Sequence, residues 1–175
     1  MKSVASYRKH SAAGTDWAAW VLGIGLGLTL ALQATTMAHS DITSVYAAIA
    51  SISRLAALTG TYFAIVGIFL VARIPWVERG VGHDRLVTWH RKLGPWSLYL
   101  IGFHVIFIIL SFAGQDQVPL GKELWQMLGD FEWMWAALAG FILMVAAGVT
   151  SYKKARAKMS YETWWIIHVY TYIAI

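Results

Sequence analysis

From Trp17 to Ile175 the chain is a succession of apolar runs, each close to the length that crosses a bilayer. They cover about Trp17–Ala38, Val45–Val71, Thr88–Ala113, Trp133–Tyr152 and Tyr161–Ile175. A spanning helix needs about 20 apolar residues, and only a helix or a closed barrel satisfies its backbone in hydrocarbon. The first four runs meet that length. The fifth reaches Ile175 while still apolar, and reads as a span cut short in a fragment of a longer protein. Charged residues make up 13% of the chain, about half the share of a soluble domain. The expected fold is therefore all-α: a polytopic transmembrane bundle with five spans here. The longest stretch between spans, Gly114 to Glu132, is too short to fold alone.

The basic residues orient the bundle. Lys2, Arg8 and Lys9 precede the first span. Arg73, Arg79, Arg85, Arg91 and Lys92 lie between the second span and the start of the third. Lys153, Lys154, Arg156 and Lys158 lie between the fourth and fifth. The opposite loops hold Lys122 among Asp41, Asp116, Glu123, Asp130 and Glu132. By the positive-inside rule the N-terminus, residues 1–16, is a cytoplasmic tail, and spans one, three and five run parallel and outward. No small-residue cleavage site follows the first run, so it reads as a retained helix. The net charge of +5 reflects this sidedness and does not imply a nucleic-acid partner; the surroundings are membrane lipid. Cysteine is absent, which excludes disulfides and thiolate-held iron–sulfur clusters on this chain. Most of the tryptophans read as interface anchors.

His90 and His104 lie fourteen residues apart in the third run. Fourteen residues make about 3.9 helical turns and about 21 Å of rise, so both imidazoles leave one face, one near each membrane surface. Imidazole is an axial ligand of haem iron, and two stacked haems would carry electrons across the membrane. His168, on the parallel fifth span, falls at the depth of His90 and would complete a bis-imidazole site there. A partner for His104 would fall at about position 181 or 182, beyond the last residue. The competing reading is of buried histidines hydrogen-bonded to neighbouring helices, but intramembrane ionisable residues are rare and usually functional. His10, His39 and His83 read as solvated interfacial residues, His39 with a possible contact to an electron acceptor.

Arg54 stands about nine residues into the second span and needs an anion, while the spans carry no acid except Glu162 at the very start of the fifth. A propionate of the outer haem would pair with it; snorkelling to the surface is the alternative. Arg91 and Lys92 either hold inner-haem propionates or flank the interface. Gly60, Gly67, Gly94, Gly102, Gly140 and Gly148 read as helix-packing positions, with Gly102 also a candidate for haem clearance.

These residues carry a resemblance. Ala72-Arg73-Ile74-Pro75-Trp76-Val77-Glu78-Arg79, Gly82-His83-Asp84-Arg85-Leu86 and Trp89-His90-Arg91-Lys92-Leu93-Gly94 resemble the ferric reductase-like transmembrane domain, most closely its bacterial NADPH-oxidase-like and ferredoxin-reductase-family members. Ser160-Tyr161-Glu162-Thr163-Trp164 with Ile167-His168-Val169-Tyr170 is similar to that family's fifth helix, and Arg54-Leu55 with Leu58-Thr59-Gly60 to its second. The resemblance covers about residues 45 to 175. It implies six helices in a plasma or inner cell membrane. It further implies two b-type haems, with His90 and His168 on the inner one and His104 on the outer, and a basic residue, here Arg54, near the outer haem. A cytosolic module with FAD and NAD(P)H would supply electrons, either on the same polypeptide or as a separate reductase. The chain as given lacks the sixth helix and the flavin module.

The function expected is electron transfer by an oxidoreductase from that module to an external acceptor, ferric iron or oxygen. The alternative is a haem-only b-type cytochrome subunit that passes quinol or flavin electrons to a separate partner. A transporter or channel with histidine proton relays would place carboxylates among the span histidines, and the spans hold only Glu162, at the edge of the fifth.

Overall fold

The computed structural model describes residues 4–38, 42–152, 155 and 157–173. All of its regular structure is helical among the described residues: α1 (Val4–Ala38), α2 (Val45–Val71), α3 (Pro75–Val81), α4 (His83–Asp116), α5 (Leu120–Asp130), α6 (Met134–Ser151) and α7 (Tyr161–Tyr170), followed by a 3₁₀ turn (Thr171–Ile173). Among the described residues four helices are long and apolar enough to cross a membrane: the Asp16–Met37 part of α1, then α2, α4 and α6. The fifth of the five expected spans reads as cut short at Ile175. The fifth run folds as α7 with its 3₁₀ turn, and ten helical residues rise only about 15 Å, half a hydrocarbon core.

Local signals set the boundaries. Ser44 caps α2 by accepting the Ala47 N–H at 3.1 Å, and Ser160 caps α7 by accepting the Thr163 N–H at 3.2 Å. Pro75 opens α3, where its missing N–H costs nothing. Gly82, at φ 93°, lets α3 turn directly into α4, a backbone conformation that favours glycine. α5 lies in the long loop and does not stand alone. Glu123, Met127 and Leu128 form its buried face against α4 and α6.

The α2–α4 pair is the spine of the bundle. Four α4 side chains reach four α2 backbone carbonyls across it. Ser111 Oγ donates to Tyr46 C=O at 2.7 Å. His104 Nδ1–H donates to Ser53 C=O at 3.1 Å. Ser97 Oγ donates to Gly60 C=O at 2.8 Å, and His90 Nδ1–H donates to Gly67 C=O at 3.0 Å. The donors stand at 90, 97, 104 and 111 and the acceptors at 67, 60, 53 and 46, so each step is seven residues on both helices. A seven-residue period keeps one seam in register between antiparallel helices that cross at about 20°. In lipid there is no hydrophobic force between helices, so such bonds and small-residue packing hold the seam together.

At the α3 end, α1 and α3 close on the spine. Ala18, Val66, Leu70, Val81 and Leu86 form a buried cluster there, with Tyr62, Val77 and Trp89 packed around it. The Tyr62 hydroxyl donates to Leu22 C=O at 2.7 Å and ties α1 to α2.

Gly60 packs tightly against α4. A Cβ there would meet Ile101 Cγ1 at 2.8 Å, the Ile101 backbone N at 3.1 Å and Leu100 Cβ at 3.1 Å. Backbone cannot swing aside as a side chain can, so Gly60→Ala should cost about 1–3 kcal/mol by overpacking. Thermal unfolding in detergent should show a Tm lower by roughly 2–10 °C. Gly121→Ala, on α5 with open space around it, should leave Tm unchanged.

Glu123 is buried on α5, and its Oε2 has no hydrogen-bond partner. Burial, and then the charges of Asp116 and Asp130, raise its carboxyl above the ordinary value of 4.5. The unfolded chain therefore ionises first, and the fold loses stability as pH climbs from 4.5 through the raised value. Glu123→Gln should unfold at a higher Tm than the parent at neutral pH. The two should converge at pH 4, where the carboxyl is protonated in both states.

Candidate functional site

The span histidines divide between the two ends of the spine. Toward the α3 end, His90 on α4 meets His168 on α7. Their ring centroids are 6.0 Å apart and their planes stand at 74°. Trp164, one helical turn before His168, stacks on its ring at 5.0 Å and 22°. Ser151, where α6 ends, takes the Trp164 indole N–H at 3.2 Å and lies 3.4 Å from His168 Nδ1. Arg91 and Lys92 are exposed beside His90 on α4.

A carbonyl oxygen only accepts, so the bond to Gly67 C=O fixes the proton of a neutral His90 on Nδ1 and leaves the Nε2 lone pair bare. His104 is held in the same way by Ser53 C=O. This is the arrangement that prepares an imidazole to ligate metal through Nε2. His90 and His168, with ring centroids 6.0 Å apart, would be the pair to hold a metal centre at this end, each through an imidazole nitrogen. Neutral imidazoles are also the donor set that b-type haem takes. Among the described residues no group of three or more His, Cys, Asp or Glu is placed to hold a bare metal ion, so the two-imidazole donor set is the one to weigh.

Toward the α5 end, His104 lines a cavity of about 460 Å³ between α2, α4, α5 and α6, within the usual range of small-molecule and cofactor pockets. Its walls are mostly apolar: Ile101 and Ile108 from α4, Met127 and Leu128 from α5, Leu138 and Phe141 from α6. Arg54 of α2 lines the same cavity, so the structure joins the two residues that sequence placed at one depth. Gly102 has open space where a Cβ would point. Gly60 and Gly148 instead face close neighbours, Ile101 and Leu98, as packing positions do.

His83 opens α4, 3.7 Å from Glu78 Oε1. His39 lies outside the described residues, as do Lys2, Asp41, Lys153, Lys154, Arg156 and Ile175; of His10 only the helical backbone is described.

Sequence reasoning missed Ser53, Ser97 and Ser111, which are buried on the spine. The signal was present in α4 as His, Ser, His, Ser at a seven-residue spacing. It was absent in α2, where the acceptors are backbone carbonyls that every residue carries.

Comparison with known families gives one match: the ferric reductase like transmembrane component, over residues 56–175. The match covers more than half of the chain, takes in all three span histidines and begins just after Arg54. No curated protein and no solved structure matches the chain. Four spanning helices and a transmembrane family domain make this a multi-pass membrane protein, and the chain belongs to the ferric reductase-like transmembrane family, whose general activity is electron transfer across a membrane.

Proposed function

We propose that the chain holds two b-type haems, one at each end of the α2–α4 spine, and passes electrons between them from the α3 side to the α5 side. The observation that carries this reading is the shared state of His90 and His104: each is bound through Nδ1 to a carbonyl of α2, with Nε2 left for a metal. Bound haem would supply a one-electron iron couple at each site. His90 and His168 would hold one, and His104 would supply a ligand to the other. Trp164 and Ser151 fix the His168 ring from two sides. The apolar walls of the cavity exclude water and so protect the potential of what sits there. Arg91 and Lys92 at one end, and Arg54 at the other, offer cations for propionates. By the positive-inside rule, the twelve basic residues of the tail and of the loops before the third and fifth runs support a cytoplasmic position for the α3 side. Electrons would enter there from an FAD and NAD(P)H module, as an oxidoreductase of this family requires, and leave beside Arg54 to ferric iron or oxygen.

Pyridine haemochrome and redox titration of the full-length protein in membranes test the reading. Two b-haem components are expected. His90→Ala and His168→Ala should each abolish the same component, and His104→Ala the other. A haem-free preparation, or different components lost in His90→Ala and His168→Ala, would overturn it. Arg54→Ala should keep both haems, slow acceptor reduction several-fold and lower the potential of the component lost in His104→Ala, because a nearby cation favours the reduced iron. Arg54→Lys should restore part of both effects, since it keeps charge without the planar fork.

A further inference from the structure

Ser53 contacts His104 in three ways that no residue matches at His90. Its side chain is fully buried. Its Oγ donates to His104 C=O at 3.0 Å, which commits the hydroxyl proton to the carbonyl. The same Oγ lies 3.0 Å from His104 Nδ1, and the Ser53 carbonyl lies 3.1 Å from that nitrogen. With the hydroxyl proton spent, Oγ can only accept from Nδ1–H. One residue thus gives His104 two acceptors and anchors its backbone. At His90 the corresponding position is Gly67, which offers its carbonyl alone.

We infer that Ser53 is a positioning residue that sets the His104 imidazole and makes it a stronger electron donor than His90. The inference rests on the reading of His104 as a haem ligand. Two acceptors on one N–H pull its proton further from the ring than one does and raise the basicity of the far nitrogen. A more basic ligand stabilises the oxidised iron. Ser53 therefore holds the potential of the α5-end site down, while the Arg54 charge, one residue along α2 and lining the same cavity, pushes it up. Adjacent α2 residues would tune one site in opposite directions, one through the ligand and one through space. Their side chains differ in burial accordingly: Ser53 is enclosed at the seam and Arg54 is exposed.

The test separates tuning from mere helix packing. Ser97 makes the same kind of seam bond one heptad away, to Gly60 C=O at 2.8 Å, and is equally enclosed. Ser53→Ala and Ser97→Ala are compared in the full-length protein in membranes by redox titration and by electron paramagnetic resonance of the ferric low-spin signals. Ser53→Ala should shift the component lost in His104→Ala upward. At a fixed poise its reduced-to-oxidised ratio should rise about two- to tenfold, the range one net hydrogen bond commands. Its low-spin signal should change while the component lost in His90→Ala stays fixed. Ser97→Ala should move neither. Equal midpoints in Ser53→Ala, Ser97→Ala and the parent would overturn the inference and leave Ser53 as a seam contact. Should Ser53→Ala fail to assemble, Ser53→Cys keeps the approximate volume with a weaker acceptor. It should give a smaller upward shift, and no shift would again overturn the inference. A parent protein in which His104→Ala removes no haem component would instead sink the underlying haem assignment, an outcome the titration distinguishes.

Discussion

The bond from a side chain on one helix to a backbone carbonyl on the next governs this molecule. A helical carbonyl already accepts one N–H from its own helix and keeps a second lone pair. In water that lone pair is solvated and a side-chain bond to it gains little. Between two helices in hydrocarbon no solvent competes, and each such bond contributes about 0.6 kcal/mol on average. Four of them, at one seven-residue period along α2 and α4, fix rotation and axial register together. A slip of one residue would break all four. The register places His90 and His104 at opposite ends of one seam, so the bonds that hold the helices also orient the histidines.

The same seam explains why the two ends differ. Near His90, α7 supplies a second imidazole, and Trp164 and Ser151 fix it. Near His104, the volume facing α2 and α4 is closed by α5 and α6 instead. α5 is amphipathic: its apolar face walls the cavity, and Trp125 on another face is exposed. The loop is thus part of the site wall. Burying Glu123 among Asp116 and Asp130 costs stability at neutral pH, a cost borne by the one helix that covers the cavity without crossing the membrane.

Several features were legible before any coordinates. Four apolar runs became four helices of spanning length, because a chain in hydrocarbon has no alternative that satisfies its backbone. The fourteen-residue histidine spacing placed both rings on one helical face, and the family resemblance held over residues 56–175. Arg54 and His104 were placed at one depth and do share a cavity. The fifth run, read as a span cut short, is helical over Tyr161–Tyr170 with a 3₁₀ turn after it. α5 went unseen because a loop segment with scattered charge gains its helix from packing against α4 and α6.

What the sequence determined alone is the four helices of spanning length and the common face of His90 and His104, since these follow from hydropathy and from the fixed rise and twist of a helix. What only the tertiary structure decided is which atoms those histidines meet. Ser53, Ser97 and Ser111 look like ordinary small polar residues in the chain, and Gly67 like ordinary helix packing. Their partners are backbone oxygens, which have no letter in a sequence. Only the packing of α2 against α4 shows which carbonyl lies opposite which side chain, and therefore which imidazole nitrogen carries its proton.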